Sequence, residues 1–254
     1  MSIKITMEEN KKISVIIAAA GTSSRMGLNT SKQSLLLDDK PLLSHSIEKF
    51  LKLKNLIEII VVTNDIKATN KIISSPRNDT FQVAIKIVPG GKLRQDSVYN
   101  GFCEVDELND LVLIHDVARP LFEISDVEKC IEKAILSGAC ILALPVVDTI
   151  KKVNNSNNEL IVESTLRRDN LYLVQTPQVF GFALLQEVYK KYRTSSGFSE
   201  IVTDEAMLVE KYGKPVNLVS GSKKNIKITY SDDLEIAEAI IREEKEQGDL
   251  CLKL

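Results

Sequence analysis

Short apolar runs rich in β-branched residues alternate along this chain with segments whose apolar residues recur at helical spacing. Runs that are apolar at nearly every position are typical of strands covered on both faces. We therefore predict an α/β fold, with a Rossmann-like, largely parallel central sheet and helices on both faces. The predicted strands are 13–19, 58–63, 83–88, 111–115 and 139–146, and the predicted helices are 42–52, 68–75, 95–103 and 125–137.

The pattern changes after Val146, where two strand-like segments, DTIKKV and ELIVEST, flank the turn-forming sequence NNSNN at 154–158. Such an arrangement predicts a β-hairpin arm over about 147–172 that projects from the sheet. The apolar residues of this arm would have little to cover them within one chain. We therefore expect a second copy of the chain to cover them in a homodimer.

Helical spacing returns at 182–192 and 204–212, and a strand is predicted at 216–219. A long last helix begins at Ser231, a good N-cap, and Gly248 is expected to end it. The predicted domain organisation is a polar leader at 1–12, one domain at 13–246 and a tail at 247–254. The apolar face of the last helix consists of Leu234, Ala237, Ile240 and Ile241.

Composition limits the partners of this chain. Its 33 Lys and Arg residues against 35 Asp and Glu residues give a net charge of −2, which argues against a nucleic-acid partner. No apolar stretch approaches the roughly 20 residues of a membrane span, and the leader has no apolar signal region. Cys103, Cys130 and Cys140 lie in apolar segments without a C-x-x-C pair, which predicts buried thiols in a reducing compartment. We expect a cytoplasmic protein.

Ligands of an open parallel sheet bind beyond the carboxyl ends of its strands. After the first predicted strand, the small residues Ala19, Ala20 and Gly21 would let backbone N–H groups approach a phosphate, and the cations Arg25 and Lys32 follow. The stretch contains neither the P-loop pattern nor the dinucleotide fingerprint. A glycine-containing turn with two solvated cations is the alternative interpretation.

Two further predicted strands are followed by residues that could bind an anion or a metal. PGGKLRQDS contains a flexible turn and a helix start at which N–H groups and Ser97 could hold an anion or a base edge, although ordinary capping would use the same residues. HDVARP places Asp116 at a strand end with Arg119 three residues later, a layout suited to Mg²⁺ beside a phosphate or to a surface ion pair. His115, inside the apolar strand, is better suited to the core than to catalysis.

Five separated blocks occur in order between about Val15 and Ile241: AAG…SRMG…KQ, GG…RQDSV, HDVARP, RRDNLYLVQTPQ and TDEA…NIKIT. Together they resemble the 2-C-methyl-D-erythritol 4-phosphate cytidylyltransferase family, which has a glycosyltransferase-A-like nucleotidyltransferase fold. The resemblance implies that CTP and a polyol phosphate react with release of diphosphate, with Mg²⁺ or another divalent cation as cofactor. A substrate oxygen attacks phosphorus in such a reaction, so fixed cations are needed and a nucleophilic side chain is not.

The resemblance also assigns roles to residues. Asp116 would hold the metal and contact both substrates. Catalytic residues would be Arg25, Lys32 and Lys227. The residues expected to bind the nucleotide are Ala19, Ala20, Gly21, Gly90 and Ser97, and those expected to bind the polyol phosphate are Arg119, Thr149, Arg168, Thr176 and Thr203.

In this family the arm crosses to the neighbouring subunit, so Thr149 and Arg168 would complete a site in the other chain. The sequence departs from the family pattern at Ser23, where glycine is common, and at Ser31, where proline usually precedes the Lys-Gln pair. Two alternatives stay open. One is a ribitol-5-phosphate cytidylyltransferase, and the other is a non-catalytic nucleotide-binding protein that keeps the fold.

Overall fold

The computed structural model describes residues 11–21, 26, 31–74, 83–156, 159–194 and 201–251. Helices follow most of the strands in these ranges. The strands are β1 (Ile13–Ala18), β2 (Leu36–Leu37), β3 (Lys40–Pro41), β4 (Leu56–Thr63), β5 (Ala84–Pro89), β6 (Leu111–Asp116), β7 (Ala139–Pro145), β8 (Ile150–Ser156), β9 (Glu159–Leu166), β10 (Tyr172–Gly181) and β11 (Asn217–Ser220). The helices are α1 (Leu42–Phe50), α2 (Ile66–Ile73), α3 (Arg94–Phe102), α4 (Ile124–Ser137), α5 (Phe182–Thr194), α6 (Glu205–Lys211) and α7 (Ser231–Cys251).

Seven strands form one mixed sheet in the order β11-β7-β10-β6-β1-β4-β5. Strand β1 lies near the centre and pairs in parallel with β4 and β6, so that Ala18 lies opposite both Val62 and Asp116. This register brings the carboxyl ends of three strands to one edge of the sheet. The predicted α/β architecture, with a largely parallel sheet, is confirmed.

The two faces of β1 pack into two different apolar layers, as its nearly continuous apolar sequence predicts. Val15 and Ile17 contribute to a layer with residues of α1, α4 and α7. Ile16 contributes to the opposite layer with residues of α3, α5 and α6. Helices therefore cover both faces of the sheet, and the site-bearing loops begin from a rigid base.

The sequence reading missed β10, the strand that lies antiparallel between β6 and β7. Its segment contains Pro177 and two glutamines, a composition that favours a loop. Helix α7 continues through Gly248 to Cys251, so the prediction that Gly248 ends it is wrong. Cys103 is exposed at the end of α3, so the prediction of a buried thiol is wrong there, whereas Cys130 and Cys140 are buried.

Strands β8 and β9 pair with each other in antiparallel fashion as a separate two-stranded sheet. The turn is shorter than predicted, because Asn154, Asn155 and Ser156 belong to β8 and pair with Ile161, Leu160 and Glu159. The rest of the predicted turn, 157–158, lies outside the described residues. Apart from half-buried Ile150, every residue of these two strands is exposed.

Within the described part of the chain, we find no helix with both the length and the apolar character needed to cross a membrane. Only the end of the predicted leader is described. There, Lys11 Nζ lies 2.6 Å from Asp110 Oδ1, and the backbone N–H of Lys12 donates to Asp110 Oδ2 at 3.0 Å. These contacts fix the entry into β1 beside β6.

Candidate active site

A cavity of about 500 Å³ opens at the carboxyl ends of β1 and β6. It lies where the topology rule for open parallel sheets places a ligand. Its lining combines small residues, four cations and one carboxylate from segments that are far apart in the sequence. The lining residues include Ala20, Gly21, Lys32, Gly91, Arg94, Ser97, Asp116 and Lys227.

Lys32 is held on one wall of the cavity by a short 3₁₀ turn, Lys32–Ser34. Its Nζ atom donates to the carbonyl oxygen of Ile228 at 2.9 Å, and the residue is only 6% exposed. The neighbouring side chain of Gln33 is buried and donates to Thr63 Oγ1 at 2.7 Å. The Lys-Gln pair therefore has one member at the cavity and one that anchors the turn to the end of β4.

Ser31 stands where the resemblance leads us to expect proline, and its backbone has a conformation that proline would also adopt. Its φ is −67°, within the range that a proline ring would fix. Its Oγ atom lies 3.2 Å from Ser34 Oγ and donates to Asp65 Oδ2 at 3.4 Å. Side-chain contacts thus hold the conformation that the proline ring would otherwise impose before Lys32.

Asp116 is the carboxylate of the cavity, at the end of β6. Arg94 Nε donates to its Oδ1 at 3.0 Å, and Lys227 Nζ donates to its Oδ2 at 2.7 Å. Burial alone would raise the pKa of Asp116, but the charges of Arg94 and Lys227 outweigh it and hold that pKa well below its usual range. Asp116 is therefore ionised at neutral pH.

His115 and Thr176 form the layer behind Asp116. Thr176 Oγ1 accepts from the backbone N–H of Asp116 at 3.1 Å and lies 3.1 Å from His115 Nδ1. The ring of His115 packs between those of Phe50 and Phe122, and burial lowers its pKa to about 3. His115 is the neutral core residue that the sequence predicted. Thr176, predicted to bind the polyol phosphate, is buried with its hydroxyl group engaged and does not line the cavity.

The ion pair between Asp116 and Arg119, considered above as an alternative, is not formed through a hydrogen bond. Arg119 Nη1 donates to the carbonyl oxygen of Asn225 at 2.7 Å, and its Nη2 donates to that of Val174 at 3.2 Å. The Asn225 side chain is buried and donates to the Thr176 carbonyl at 3.0 Å. Backbone carbonyl groups thus fix the predicted phosphate-binding arginine beside the cavity without neutralising its charge.

The loop between β5 and α3 forms another wall. Ser97 Oγ accepts from the backbone N–H of Gly91 at 3.0 Å and donates to the Leu93 carbonyl at 3.1 Å. Gly90 itself packs behind the lining, where a Cβ atom would lie 2.5 Å from the Cβ atom of Ala20. Only glycine permits that close approach. Gly91, which the sequence reading did not assign, contributes the lining in its place.

The remaining predicted residues lie elsewhere. Ala19 is buried below the cavity, with its N–H bound to the Val62 carbonyl. Thr203 is exposed before α6 and contacts Met207 Sδ at 3.8 Å. The predicted residues Arg25 and Ser23 lie outside the described residues. Within the described part of the chain, neither of the two arm residues, Thr149 and Arg168, lines the cavity.

Both arm residues are exposed at its base. A guanidinium nitrogen of Arg168, Nη1, donates to the carbonyl oxygen of Val147, which ties the two ends of the arm together. This contact holds the returning strand beside the outgoing one. It leaves the rest of the exposed arginine side chain available to a molecule outside this chain.

Sequence reasoning missed Arg94 and Glu205 as site residues, although both stand inside the blocks that carried the resemblance. Arg94 lines the cavity, and its Nη1 donates to Glu205 Oε2 at 3.0 Å. Burial would lower the pKa of Arg94, but the carboxylates of Glu205 and Asp116 outweigh it and raise that pKa. A cation in the first turn of a helix opposes the helix dipole, and this unfavourable placement was the available signal.

The donor set suits a shared metal site. No cluster of three or more His, Cys, Asp or Glu side chains able to hold a metal occurs among the described residues. Mg²⁺ is commonly bound by one or two carboxylates together with substrate phosphates and water. Asp116 in the cavity lining fits that single-carboxylate pattern, in which phosphate and water oxygens would supply the remaining ligands.

Comparison with known proteins agrees with this geometry. The family model described as 2-C-methyl-D-erythritol 4-phosphate cytidylyltransferase matches residues 13–243. The protein of that name from Alkaliphilus oremlandii is 42% identical over 242 residues, which cover 94% of this chain and 99% of the relative.

Two solved structures are similar over most of this chain. The 4-diphosphocytidyl-2C-methyl-D-erythritol synthase of Anaerococcus prevotii has a TM-score of 0.78 at 29% identity and covers 93% of this chain and 99% of its own. The cytidylyltransferase of Francisella tularensis has a TM-score of 0.74 at 32% identity, with coverage of 89% and 98%. The chain therefore belongs to the 2-C-methyl-D-erythritol 4-phosphate cytidylyltransferase family.

Proposed function

We propose that this protein transfers the cytidylyl group of CTP to 2-C-methyl-D-erythritol 4-phosphate. The products are 4-diphosphocytidyl-2-C-methyl-D-erythritol and diphosphate, in non-mevalonate isoprenoid biosynthesis. The observation that carries the proposal is the convergence of Lys32, Asp116 and Lys227 on one cavity at the carboxyl ends of the central strands. These three charges come from three of the blocks that define the resemblance to the family.

The reaction joins a phosphate oxygen of the polyol to the α-phosphorus of CTP and breaks the bond to the leaving diphosphate. Negative charge on the phosphoryl oxygens must be stabilised during this displacement. Lys32 is suited to that work because its ammonium group is buried and fixed by a neutral carbonyl group. A fixed cation in a poorly hydrated site needs little reorganisation as charge develops.

Lys227 would contact the triphosphate, and the small residues Ala20, Gly21 and Gly91 would allow the backbone to approach it. Ser97, in the first turn of α3, would bind a polar edge of the nucleotide. Arg119 would bind the phosphate of the polyol. Its orientation by two backbone carbonyls supports this role, because its charge is not neutralised by a hydrogen-bonded carboxylate.

Mg²⁺, or another divalent cation, is proposed as the cofactor, with Asp116 as its protein ligand. When bound, the cation would neutralise charge on the phosphates and orient them for in-line attack. Asp116 is prepared for this role because its pKa is held below the usual range, so no proton needs to leave before the metal binds.

We also propose a cytoplasmic homodimer built through the β8–β9 arm. The arm exposes apolar side chains that a second copy could cover, among them Leu160 and Val162. In such a dimer, Thr149 and Arg168 would reach the cavity of the partner. The exposed side chain of Arg168 supports this arrangement.

A two-substrate assay tests the proposed function. Purified protein is incubated with CTP and Mg²⁺ and with either 2-C-methyl-D-erythritol 4-phosphate or ribitol 5-phosphate, and diphosphate release is measured. We expect faster release with the methylerythritol phosphate. Faster release with ribitol 5-phosphate would favour the sister activity, and CTP binding without release from either polyol would favour a non-catalytic nucleotide-binding protein. The Lys32→Ala variant serves as the inactive control.

A further inference from the structure

Asp116 has two cationic partners that differ in how they are held. Arg94 is bonded to Asp116 through Nε and to a second carboxylate, Glu205, through Nη1, both at 3.0 Å. Lys227 reaches Asp116 through a single atom, and the described residues give it no second carboxylate. The side chain of Arg94 is 27% exposed and that of Lys227 is 42% exposed. Among the described residues, Arg94 is therefore held by two carboxylates and Lys227 by one.

Glu205 is the group that fixes Arg94. Its side chain is fully buried in the first turn of α6, where Oε2 accepts from Arg94 and Oε1 accepts from Tyr189 Oη at 3.4 Å. A buried carboxylate is costly, and an apolar residue of similar volume often packs as well or better. Packing alone therefore does not explain a charged residue here, whereas orientation of the guanidinium group does.

The planar guanidinium group makes this orientation specific. Two bonds from different nitrogens of one rigid plane define its rotation, which a lysine ammonium group cannot reproduce. The next residue of α3 ties the same two segments together, because Gln95 Oε1 accepts from the backbone N–H of Val202 at 2.6 Å. The start of α3 is thus joined to the start of α6 and to the segment before it by two links, one of which, through Arg94, also contacts Asp116.

We propose that Glu205 is a positioning residue, which holds Arg94 as the permanent counter-ion of Asp116 and so allows Lys227 to leave Asp116 for an arriving triphosphate. With Arg94 in place, the departure of Lys227 does not leave a buried carboxylate unpaired, which would be costly. The inference rests on the proposed function, because it assigns the exchange to binding of the nucleotide substrate.

The test uses Glu205→Gln, Arg94→Lys and the double variant in the full-length protein. Each single substitution is expected to lower kcat about tenfold, because charge-assisted contacts that position a reacting group are lost. The KM for the polyol phosphate should stay within about twofold of the wild-type value. The kcat of the double variant should be no lower than that of the less active single variant, since the two residues act as one unit.

Glu58→Gln is the matched control. Glu58 is also a buried carboxylate with a cationic partner, Lys86, at 2.7 Å, but it lies near the amino ends of β1 and β4, away from the cavity. Its replacement should lower the midpoint of thermal unfolding and leave kcat unchanged. Thermal unfolding of every variant is measured, and kinetics are taken well below each midpoint.

Three outcomes would overturn the inference while leaving the proposed function intact: unchanged kcat in Glu205→Gln, losses that multiply in the double variant, or an effect confined to the KM for the polyol. If Glu205→Gln does not fold, the Arg94→Lys variant alone provides the test. The Arg94 side chain is partly exposed and lysine keeps the positive charge, so this variant is expected to fold. An unchanged kcat in Arg94→Lys would overturn the inference. Absence of turnover in the wild-type protein with either polyol would instead refute the proposed function and the inference together.

Discussion

The cavity and the β8–β9 arm differ in how far their side chains are paired or covered within one chain. In the cavity, the carboxylate of Asp116 is bonded to Arg94 at 3.0 Å and to Lys227 at 2.7 Å, all within one chain. On the arm, Leu160 is 72% exposed and Ile161 is 53% exposed. The charges of the cavity are thus paired within one chain, whereas the apolar side chains of the arm are exposed in one chain. One chain can pair the charges of its cavity, whereas exposed apolar side chains on an isolated strand pair favour contact with another molecule, as in the proposed dimer.

Among the substitutions that test the cavity, Lys32→Ala is expected to have the largest effect. We expect kcat to fall about 10³-fold, or about 4 kcal/mol, since this cation contributes most as charge develops on the phosphoryl oxygens. The KM for the polyol phosphate should change much less, by about threefold at most. Steady-state kinetics of diphosphate release measure both quantities.

Lys40→Ala is the control for that measurement, because Lys40 forms a surface ion pair with Glu48 at 2.7 Å and lies outside the cavity lining. Its kinetics should match those of the wild-type protein. If Lys32→Ala raised KM and lowered kcat/KM without a loss in kcat, Lys32 would be a ground-state binding residue only.

The arm side of the comparison is tested by Leu160→Asp. A charge in an apolar interface would weaken the proposed dimer about 100-fold, or about 2.7 kcal/mol, because it removes buried apolar area and requires desolvation of a carboxylate. Sedimentation equilibrium measures the dissociation constant. Leu136→Asp is the matched control, since Leu136 is 66% exposed on α4. Equal dissociation constants for the two variants would argue against the arm as the interface.

The sequence predicted the parts of this comparison that depend on local pattern. Continuous apolar runs predicted the five parallel strands, whereas the register that places Asp116 opposite Ala18 comes from the structure. Strand β10 was missed because its polar and proline-containing segment is stabilised by pairing with two neighbours that are distant in sequence. Tertiary pairing of this kind outweighs local propensity.

In the site, too, contacts between residues that are distant in sequence could not be predicted. Motif order pointed to Lys32, Asp116 and Lys227, and all three line the cavity. The ion pair considered as the alternative for Asp116 was with Arg119, three residues away in sequence. In the structure its partners are Arg94, from α3, and Lys227. Which cation meets a carboxylate depends on helix placement, and a single sequence does not encode it locally.

The buried layer behind the cavity should also make stability depend on pH. Because burial lowers the pKa of His115 from 6.5 to about 3, the unfolded chain binds a proton below pH 6.5 that the folded chain does not bind. Stability from this group is therefore complete above pH 6.5 and falls as pH decreases towards 3. The expected loss between pH 6.5 and pH 5 is about 2 kcal/mol.

Urea unfolding of the wild-type protein and of His115→Asn across this range measures that dependence. The variant should lose most of the slope, whatever its absolute stability. His45→Asn is the companion variant, because burial also lowers the pKa of His45, but that ring is only partly buried. If the pH dependence of stability survived in His115→Asn and disappeared in His45→Asn, it would come from His45 and not from His115.

The smallest expected effect joins the two regions directly. Arg168→Ala should raise the KM for the polyol phosphate about tenfold and change kcat by less than about twofold, because a phosphate contact retained throughout the reaction contributes equally to ground and transition states. Mixing these chains with Lys32→Ala chains then tests whether the arm crosses between subunits. The assay is run at a polyol concentration well below KM, so that both lesions are visible.

If the arm crosses, each mixed dimer contains one intact site and one doubly defective site, and random mixing should restore about a quarter of wild-type activity. If each chain completes its own site, every site retains one lesion, and activity should stay near a twentieth. The comparison therefore reduces to a fivefold difference in one measurement. Activity near the lower value would place Arg168 on the cavity of its own chain and leave the arm with an assembly role alone.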